Sequence, residues 1–375
     1  MKRLLGVCVL SLLMGCPAGT GESPDAGSPD ADTPATDAGT DAGTPAPFTL
    51  TAFDNARITS KSGEPNFQKV ETEIDWGTAP KEKVTLVVDL ASTCYPFESW
   101  QQNPPPQGEN WPADCDAFDR NFEFILDPRK EAGDPPGVEL VRAITPFGGP
   151  EHFEIDLTDV ANGLPGKHRL ISTITTWSDA SGQVTGSNGG WNVTARIDVV
   201  PGKAPRRVLA VIPLFNGSVT TPGQGPAIDF ALPEGTLVSR LEYRVTGHGG
   251  GTGDSSCIGP AEEFCRREHV LSADGVELTR FTPWRNDCKN LCTLTHYSPP
   301  SGGAGFDYCL ENPCGAIASV RAPRANWCPG SVTPAYAEEP AAWSTPGPHQ
   351  FQWSIEQIAD GGSWRLSAVV FAYGR

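Results

Sequence analysis

The chain has 375 residues, 45 of them acidic and 28 basic, for a net charge of −17. Setting aside Lys2, Arg3 and the six acids between positions 17 and 47 leaves −13 for the rest. That sign argues against nucleic acid or an anionic lipid surface as a partner, because both are met by basic patches.

The first predicted element is a leader. Lys2 and Arg3 precede an apolar run from Leu4 to Met14, which is too short to span a bilayer as a mature helix and suits a signal-peptide core. The run ends in Leu13-Met14-Gly15-Cys16, which resembles the lipobox cut by lipoprotein signal peptidase, although Met14 is larger than the residue that box usually carries. The reading predicts a signal peptide over 1–15 and a lipid on Cys16. The protein is then anchored in a bacterial cell envelope, on the outer membrane by preference because Pro17 offers no acidic retention signal, and is periplasmic or surface-exposed. An ordinary cleaved leader followed by a chance cysteine is the alternative. Residues 16–47 form a predicted linker of Asp, Ala, Gly, Thr, Ser and Pro with no Lys or Arg, too polar to fold. Extended at roughly 3 Å per residue, it reaches on the order of 90 Å and serves as a stalk.

From about Phe48 the pattern is that of short strands separated by Pro and Gly. Val84 to Leu90, Phe122 to Leu126 and Arg169 to Trp177 read as strands. Trp191, Val193, Ala195, Ile197 and Val199 alternate with polar residues, as in a half-buried strand. Arg207 to Phe215 follows, then Leu237 to Thr246, where Leu241, Tyr243 and Val245 face one way and Arg240, Glu242 and Arg244 the other. Trp364 to Tyr373 closes the series. No long helical periodicity is present, so the chain is predicted to be all-β, built of sandwiches or jelly rolls. Pro201-Gly202-Lys203-Ala204-Pro205 breaks the chain near its middle, which puts an N-terminal domain over 48–202 and a C-terminal one over 203–375.

The body holds nine cysteines: Cys94, Cys115, Cys257, Cys265, Cys288, Cys292, Cys309, Cys314 and Cys328. In an exported chain these read first as disulfides. None forms the paired Cys-x-x-Cys set of a structural zinc site, and no metal or other cofactor is expected. An odd number leaves one thiol free or paired outside the chain.

Three segments carry chemistry: Cys115-Asp116-Ala117-Phe118-Asp119-Arg120, then Glu262-Glu263-Phe264-Cys265-Arg266-Arg267-Glu268-His269, then Arg324-Ala325-Asn326-Trp327-Cys328-Pro329-Gly330. They resemble, in the same order, three segments of the peptide:N-glycosidase F family. Ile144-Thr145-Pro146 and Glu154-Ile155-Asp156-Leu157-Thr158-Asp159 echo it more weakly. The resemblance runs from about residue 50 to 374 and implies two side-by-side jelly-roll domains with a cleft between them. It implies hydrolysis of the amide between an asparagine side chain and the first N-acetylglucosamine of an N-glycan, with N-glycosylated proteins or glycopeptides as partners and a monomeric enzyme. Asp119 falls on the principal catalytic carboxylate, Arg120 on a sugar-contacting arginine, Glu263 on a second carboxylate, and Arg324 and Trp327 on the last motif, where both are expected to bind glycan. Trp177 and His248 fall on further cleft positions expected to meet glycan. The resemblance also implies Cys257–Cys265 and Cys288–Cys328 disulfides, with Cys94–Cys115 left by elimination in the N-terminal domain. Of the remaining three, Cys309–Cys314 is expected, with Cys292 free.

The chemistry is coherent: an amide needs a base to aim water and a donor for the leaving nitrogen, and two carboxyls in different environments can divide those tasks. An arginine can stabilise charge on the amide oxygen, and aromatic faces suit a sugar ring. The departures are Thr175 where the family has a glutamate, and Phe118 and Phe264 where it has tryptophan. Thr175 supports a second reading, a glycan-binding protein without catalysis. Copper monooxygenases share the two-jelly-roll architecture, but the six His are scattered and the only Met residues are Met1 and Met14, so the soft ligands are missing. Plainer roles stay open at this level. Asp119 can cap a turn, Glu263 can be solvated, and Trp177 and Trp327 can be core residues. Strict strand alternation would also send Asp119 and Arg120 to opposite faces, so both reach a cleft only if the strand starts irregularly.

Overall fold

The computed structural model describes residues 45–178, 189–251 and 253–375. The predicted leader, Cys16 and nearly all of the predicted linker lie outside the described residues. Among the described residues no helix is long and apolar enough to cross a membrane.

The first half contributes β1 (Phe48–Thr59), β2 (Lys69–Asp75), β3 (Lys81–Ala91), β4 (Asn121–Leu126), β5 (Val138–Ile144), β6 (Glu151–Asp156), β7 (Lys167–Ile174) and β8 (Gly190–Pro201). The second contributes β9 (Val208–Val219), β10 (Gly223–Gln224), β11 (Ile228–Leu232), β12 (Val238–Gly249), β13 (His269–Ala273) and β14 (Val276–Phe281). It continues with β15 (Leu294–Tyr297), β16 (Phe306–Cys309), β17 (Ser331–Thr333), β18 (Tyr336–Glu338), β19 (Gly347–Ile355) and β20 (Gly362–Tyr373). Helices are single turns or little more, as in α1 (Thr158–Gly163) and α2 (Ile317–Arg321).

Two antiparallel sandwiches result, as the strand pattern predicts. In the first, the sheet β1-β8-β3-β6 packs on β17-β5-β4-β7-β2. Its core takes alternate residues of each strand, such as Phe122, Phe124 and Leu126 of β4 against Trp191, Val193 and Ala195 of β8. In the second, β18-β12-β20-β9 packs on β10-β19-β13-β14, with β11 also paired to β19. Leu241, Tyr243 and Val245 point into that core, as their spacing predicts. Arg240, Glu242 and Arg244, on the other face of β12, meet the first sandwich instead of open water: Arg240 pairs with Asp159 and Arg244 bonds the Glu139 carbonyl.

Tertiary pairing adds something that local pattern does not contain. β17 belongs by sequence to the second half but joins the first sandwich, Ser331 pairing with Ile144 and Thr333 with Arg142 of β5. The strand expected over Arg169 to Trp177 stops at Ile174, the last residue in register with β4, beyond which the Thr175 amide makes a final bond to the Asn121 carbonyl. Thr175 to Trp177 are thereby released into the loop that follows.

Among the described residues four disulfides form: Cys94–Cys115, Cys257–Cys265, Cys288–Cys328 and Cys292–Cys309. The first three match expectation. The fourth corrects it, since Cys309 pairs with Cys292 and Cys314 is the free thiol among the described residues. The β15–β16 hairpin is the reason. Its register sets Leu294 opposite Cys309, which brings Cys292 alongside. A turn at Asn312 then carries Cys314 away to pack beside Cys94 and Cys115, its amide bonded to the Phe147 carbonyl at 2.9 Å. Burial pushes the Cys314 thiol well above its usual pKa.

Candidate active site

The segment between the Cys94–Cys115 bridge and β4 is irregular, so Asp119 and Arg120 precede the strand and escape its alternation. Thr145, just beyond β5, holds this segment in place. Its hydroxyl accepts the Arg120 amide at 2.8 Å and donates to the Phe118 carbonyl at 3.0 Å, while its own amide bonds the Arg120 carbonyl at 2.9 Å. Asp116 is fully buried beneath. It accepts from Nε and Nη2 of Arg120 at 3.3 Å, from the Phe118 amide at 3.2 Å, and from the Thr176 hydroxyl. Arg120 is thus fixed by two of its nitrogens between the rings of Phe118 and Trp177, 4.9 and 5.2 Å from its Cζ. Its Nη1 makes no hydrogen bond among the described residues. Trp177 is 42% exposed, an open ring at the end of β7.

Glu263 comes from the second sandwich, on a single turn over Glu262–Phe264 closed by Cys257–Cys265. The turn is anchored by its neighbour. Glu262 is buried and accepts from both sides of the Arg267 guanidinium at 2.9 Å, from Trp364 Nε1 at 2.6 Å and from the Ala359 amide at 2.7 Å. With Glu262 held inward, Glu263 projects the other way, 24% exposed.

Arg324 joins the two. Its Nη2 lies 3.6 Å from Asp119 Oδ2 and its Nη1 lies 3.6 Å from Glu263 Oε1. The two carboxyls are therefore no farther apart than these contacts plus the width of one guanidinium. Arg324 is wholly buried, with Phe264 and Trp327 packed on its guanidinium at 4.9 and 4.6 Å. Its segment is stitched to both sandwiches. The Ala325 amide bonds the Glu263 carbonyl, the Ala325 carbonyl accepts the Gly247 amide, and the Gly330 amide bonds the Ile144 carbonyl. Trp327 is only 2% exposed, its indole N–H donating to the Gly247 carbonyl at 2.7 Å and its ring stacked with His248 at 5.3 Å. Its place is under Arg324, so the expectation that Trp327 itself meets glycan does not fit its burial, whereas the ring of Trp177 is open.

These surroundings set the proton positions. Burial raises the Asp119 carboxyl above its usual range, opposed by Arg324 and Arg120. Glu263 is pushed up to about 7, by burial first and by the charge of Asp119 second, with only Arg324 opposing. Two guanidiniums oppose the rise at Asp119 and one opposes it at Glu263.

Asp116 and Thr176 were missed as site residues in the sequence. Asp116 stands four residues before Arg120 in the same motif, a signal that was there to read; nothing local marks Thr176. Thr175 is exposed, its amide bonded to the Asn121 carbonyl at 3.1 Å.

Residues 220–371 match the family model described as Peptide-N-glycosidase F, C terminal. By fold the chain is similar to PNGF-II, at 19% identity and a TM-score of 0.64, covering 88% of this chain and 65% of that one. It is also similar to recombinant peptide: N-glycanase F, at 17% identity and a TM-score of 0.60, covering 88% and 96% of the two chains. The same coverage and identity, with a TM-score of 0.59, relate it to PNGase F described as a glycosylasparaginase from Flavobacterium meningosepticum. Among curated proteins none matches the chain in sequence. The resemblance read from the motifs thus extends to a family match in the C-terminal half and to a shared fold over 88% of the chain.

Proposed function

We propose that the protein hydrolyses the amide between an asparagine side chain and the first N-acetylglucosamine of an N-glycan. The observation that carries this reading is the pair Asp119 and Glu263, delivered from different sandwiches to opposite ends of one buried guanidinium. Ionised Asp119 takes a proton from water as its oxygen attacks the side-chain carbonyl carbon. Glu263 gives its proton to the sugar-bearing nitrogen as the carbon–nitrogen bond breaks. The products are aspartate in the peptide and the intact glycan as its glycosylamine. Arg324 stabilises the negative charge that builds up around the reacting centre, and Arg120 offers its uncommitted Nη1 to the sugar beside the open face of Trp177.

The test is to incubate purified protein with glycopeptides of several glycan classes and weigh the products. Asparagine converted to aspartate with release of the whole glycan supports the reading. Binding without release from any of them supports the non-catalytic alternative, which the exposed Thr175 favours. Four disulfides suit an oxidising, extracytoplasmic compartment. The proposal adds a lipid on Cys16 and the acidic stalk as the means by which the cleft is held off a membrane.

A further inference from the structure

Behind Arg324 the two sandwiches meet at a buried polar cluster that amide hydrolysis does not itself use. Arg142 of β5 sits at its centre, closed to solvent, with all three guanidinium nitrogens engaged. Nε and Nη2 donate to the Glu139 carboxylate at 2.8 and 2.6 Å. Nη1 donates to Thr246 Oγ1 at 3.1 Å and to the Arg365 carbonyl at 2.5 Å. Arg365 of β20 reaches back the other way, its Nε and Nη2 donating to the Glu123 carboxylate of β4 at 2.8 and 2.7 Å. Each sandwich therefore holds an arginine of the other.

Thr246, also fully buried, relays this contact toward the site. Its oxygen accepts from Arg142 and is hydrogen-bonded to His248 Nε2, 2.7 Å away. Burial, Arg142, Arg365 and Arg324 together hold His248 neutral, at about 3. The His248 ring stacks on Trp327, and Trp327 packs on Arg324. Arg324 has few directional bonds of its own. Nη2 donates to Ser319 Oγ at 3.0 Å, whereas Nε and Nη1 have no hydrogen-bond partner among the described residues. A guanidinium with so few hydrogen bonds is placed by its ion pairs to Asp119 and Glu263 on one side and by what packs against its face on the other.

We infer that Arg142 and Thr246 are positioning residues that fix, through His248 and Trp327, where Arg324 stands between Asp119 and Glu263. The inference rests on the amidase reading for its kinetic consequences but not for its geometric ones. Asp119 and Arg324 are the charged groups that face Glu263, so displacing Arg324 removes the one attraction that opposes its protonation.

The experiment compares Thr246→Val, Thr246→Ser and Arg142→Lys in the full-length protein. With a cleavable glycopeptide, Thr246→Val lowers kcat by about tenfold or more while KM stays within about twofold, and Thr246→Ser, which keeps the hydroxyl, recovers most of the rate. A second readout does not need activity. In carboxyl-labelled protein, the NMR titration of Glu263, identified by its loss in Glu263→Gln, moves upward by on the order of one pH unit in Thr246→Val. If no glycopeptide is cleaved by the unaltered protein, the amidase reading fails and the titration alone decides this inference. Arg142→Lys keeps the charge and loses the fork, and shifts the same readouts the same way should the valine variant not fold. Unchanged kcat and unchanged titration in Thr246→Val, or equal losses in the valine and serine variants, overturn it.

Discussion

Above neutral pH the proposed reaction should slow in step with the proton missing from Glu263. That carboxyl titrates at about 7, raised by burial and by Asp119 against the opposing pull of Arg324. Beyond pH 7 its protonated fraction falls about tenfold per pH unit, to about one part in a hundred at pH 9, and kcat should fall with it. The acid limb belongs to Asp119, which must be ionised, and should lie above the ordinary aspartate range because burial raises that carboxyl too. The same shift has a stability consequence. A carboxyl raised from 4.5 to about 7 on folding contributes stability that is fully present below 4.5 and is lost as pH rises through about 7. At about 1.36 kcal/mol per pH unit that loss is on the order of 3 kcal/mol. The assay is the initial rate of glycan release from one glycopeptide at saturating substrate between pH 5 and 9, for the unaltered protein and for Glu263→Gln. The variant should lose about 10²- to 10⁴-fold at its optimum. A rate that stays level or rises to pH 9, or a glutamine variant with normal kcat, refutes the assignment of Glu263 as proton donor.

Other outcomes can be checked separately. Asp119→Asn should abolish cleavage while glycopeptide binding survives, and it should lower the pKa of Glu263 by removing the neighbouring charge; retained turnover would exclude Asp119 as the base. Glu151 is buried, neither oxygen has a hydrogen-bond partner among the described residues, and burial pushes it up to about 8, so its contribution to stability is lost as pH rises from about 4.5 through 8. Glu151→Gln should therefore gain stability relative to the unaltered protein by up to roughly 5 kcal/mol between pH 5 and 9, and a pH-independent difference in urea unfolding would contradict this. Peptide mapping without reduction should recover Cys292 joined to Cys309 and an alkylatable Cys314 after unfolding; a Cys309–Cys314 peptide would reverse the correction.

Much of this was legible in the chain itself. Alternation over Leu241, Tyr243 and Val245 determines which face of a strand meets a core, because side chains project from a strand with a period of two. Cys-Asp-Ala-Phe-Asp-Arg, Glu-Glu-Phe-Cys and Arg-Ala-Asn-Trp-Cys-Pro-Gly, through the family resemblance they carry, single out Asp119, Glu263 and Arg324, which the fold brings together. What remained for the tertiary structure was every relation between distant segments. Whether Asp119 and Glu263 meet depends on how two sandwiches dock, and only the docked fold shows Arg324 between them. Cys309 lies close to Cys314 in sequence, yet hairpin register hands it to Cys292, since a disulfide follows spatial approach and not sequence distance. β17 finds its partner in the other sandwich for the same reason: a three-residue strand carries too little pattern of its own, and the open edge of β5 decides where it pairs.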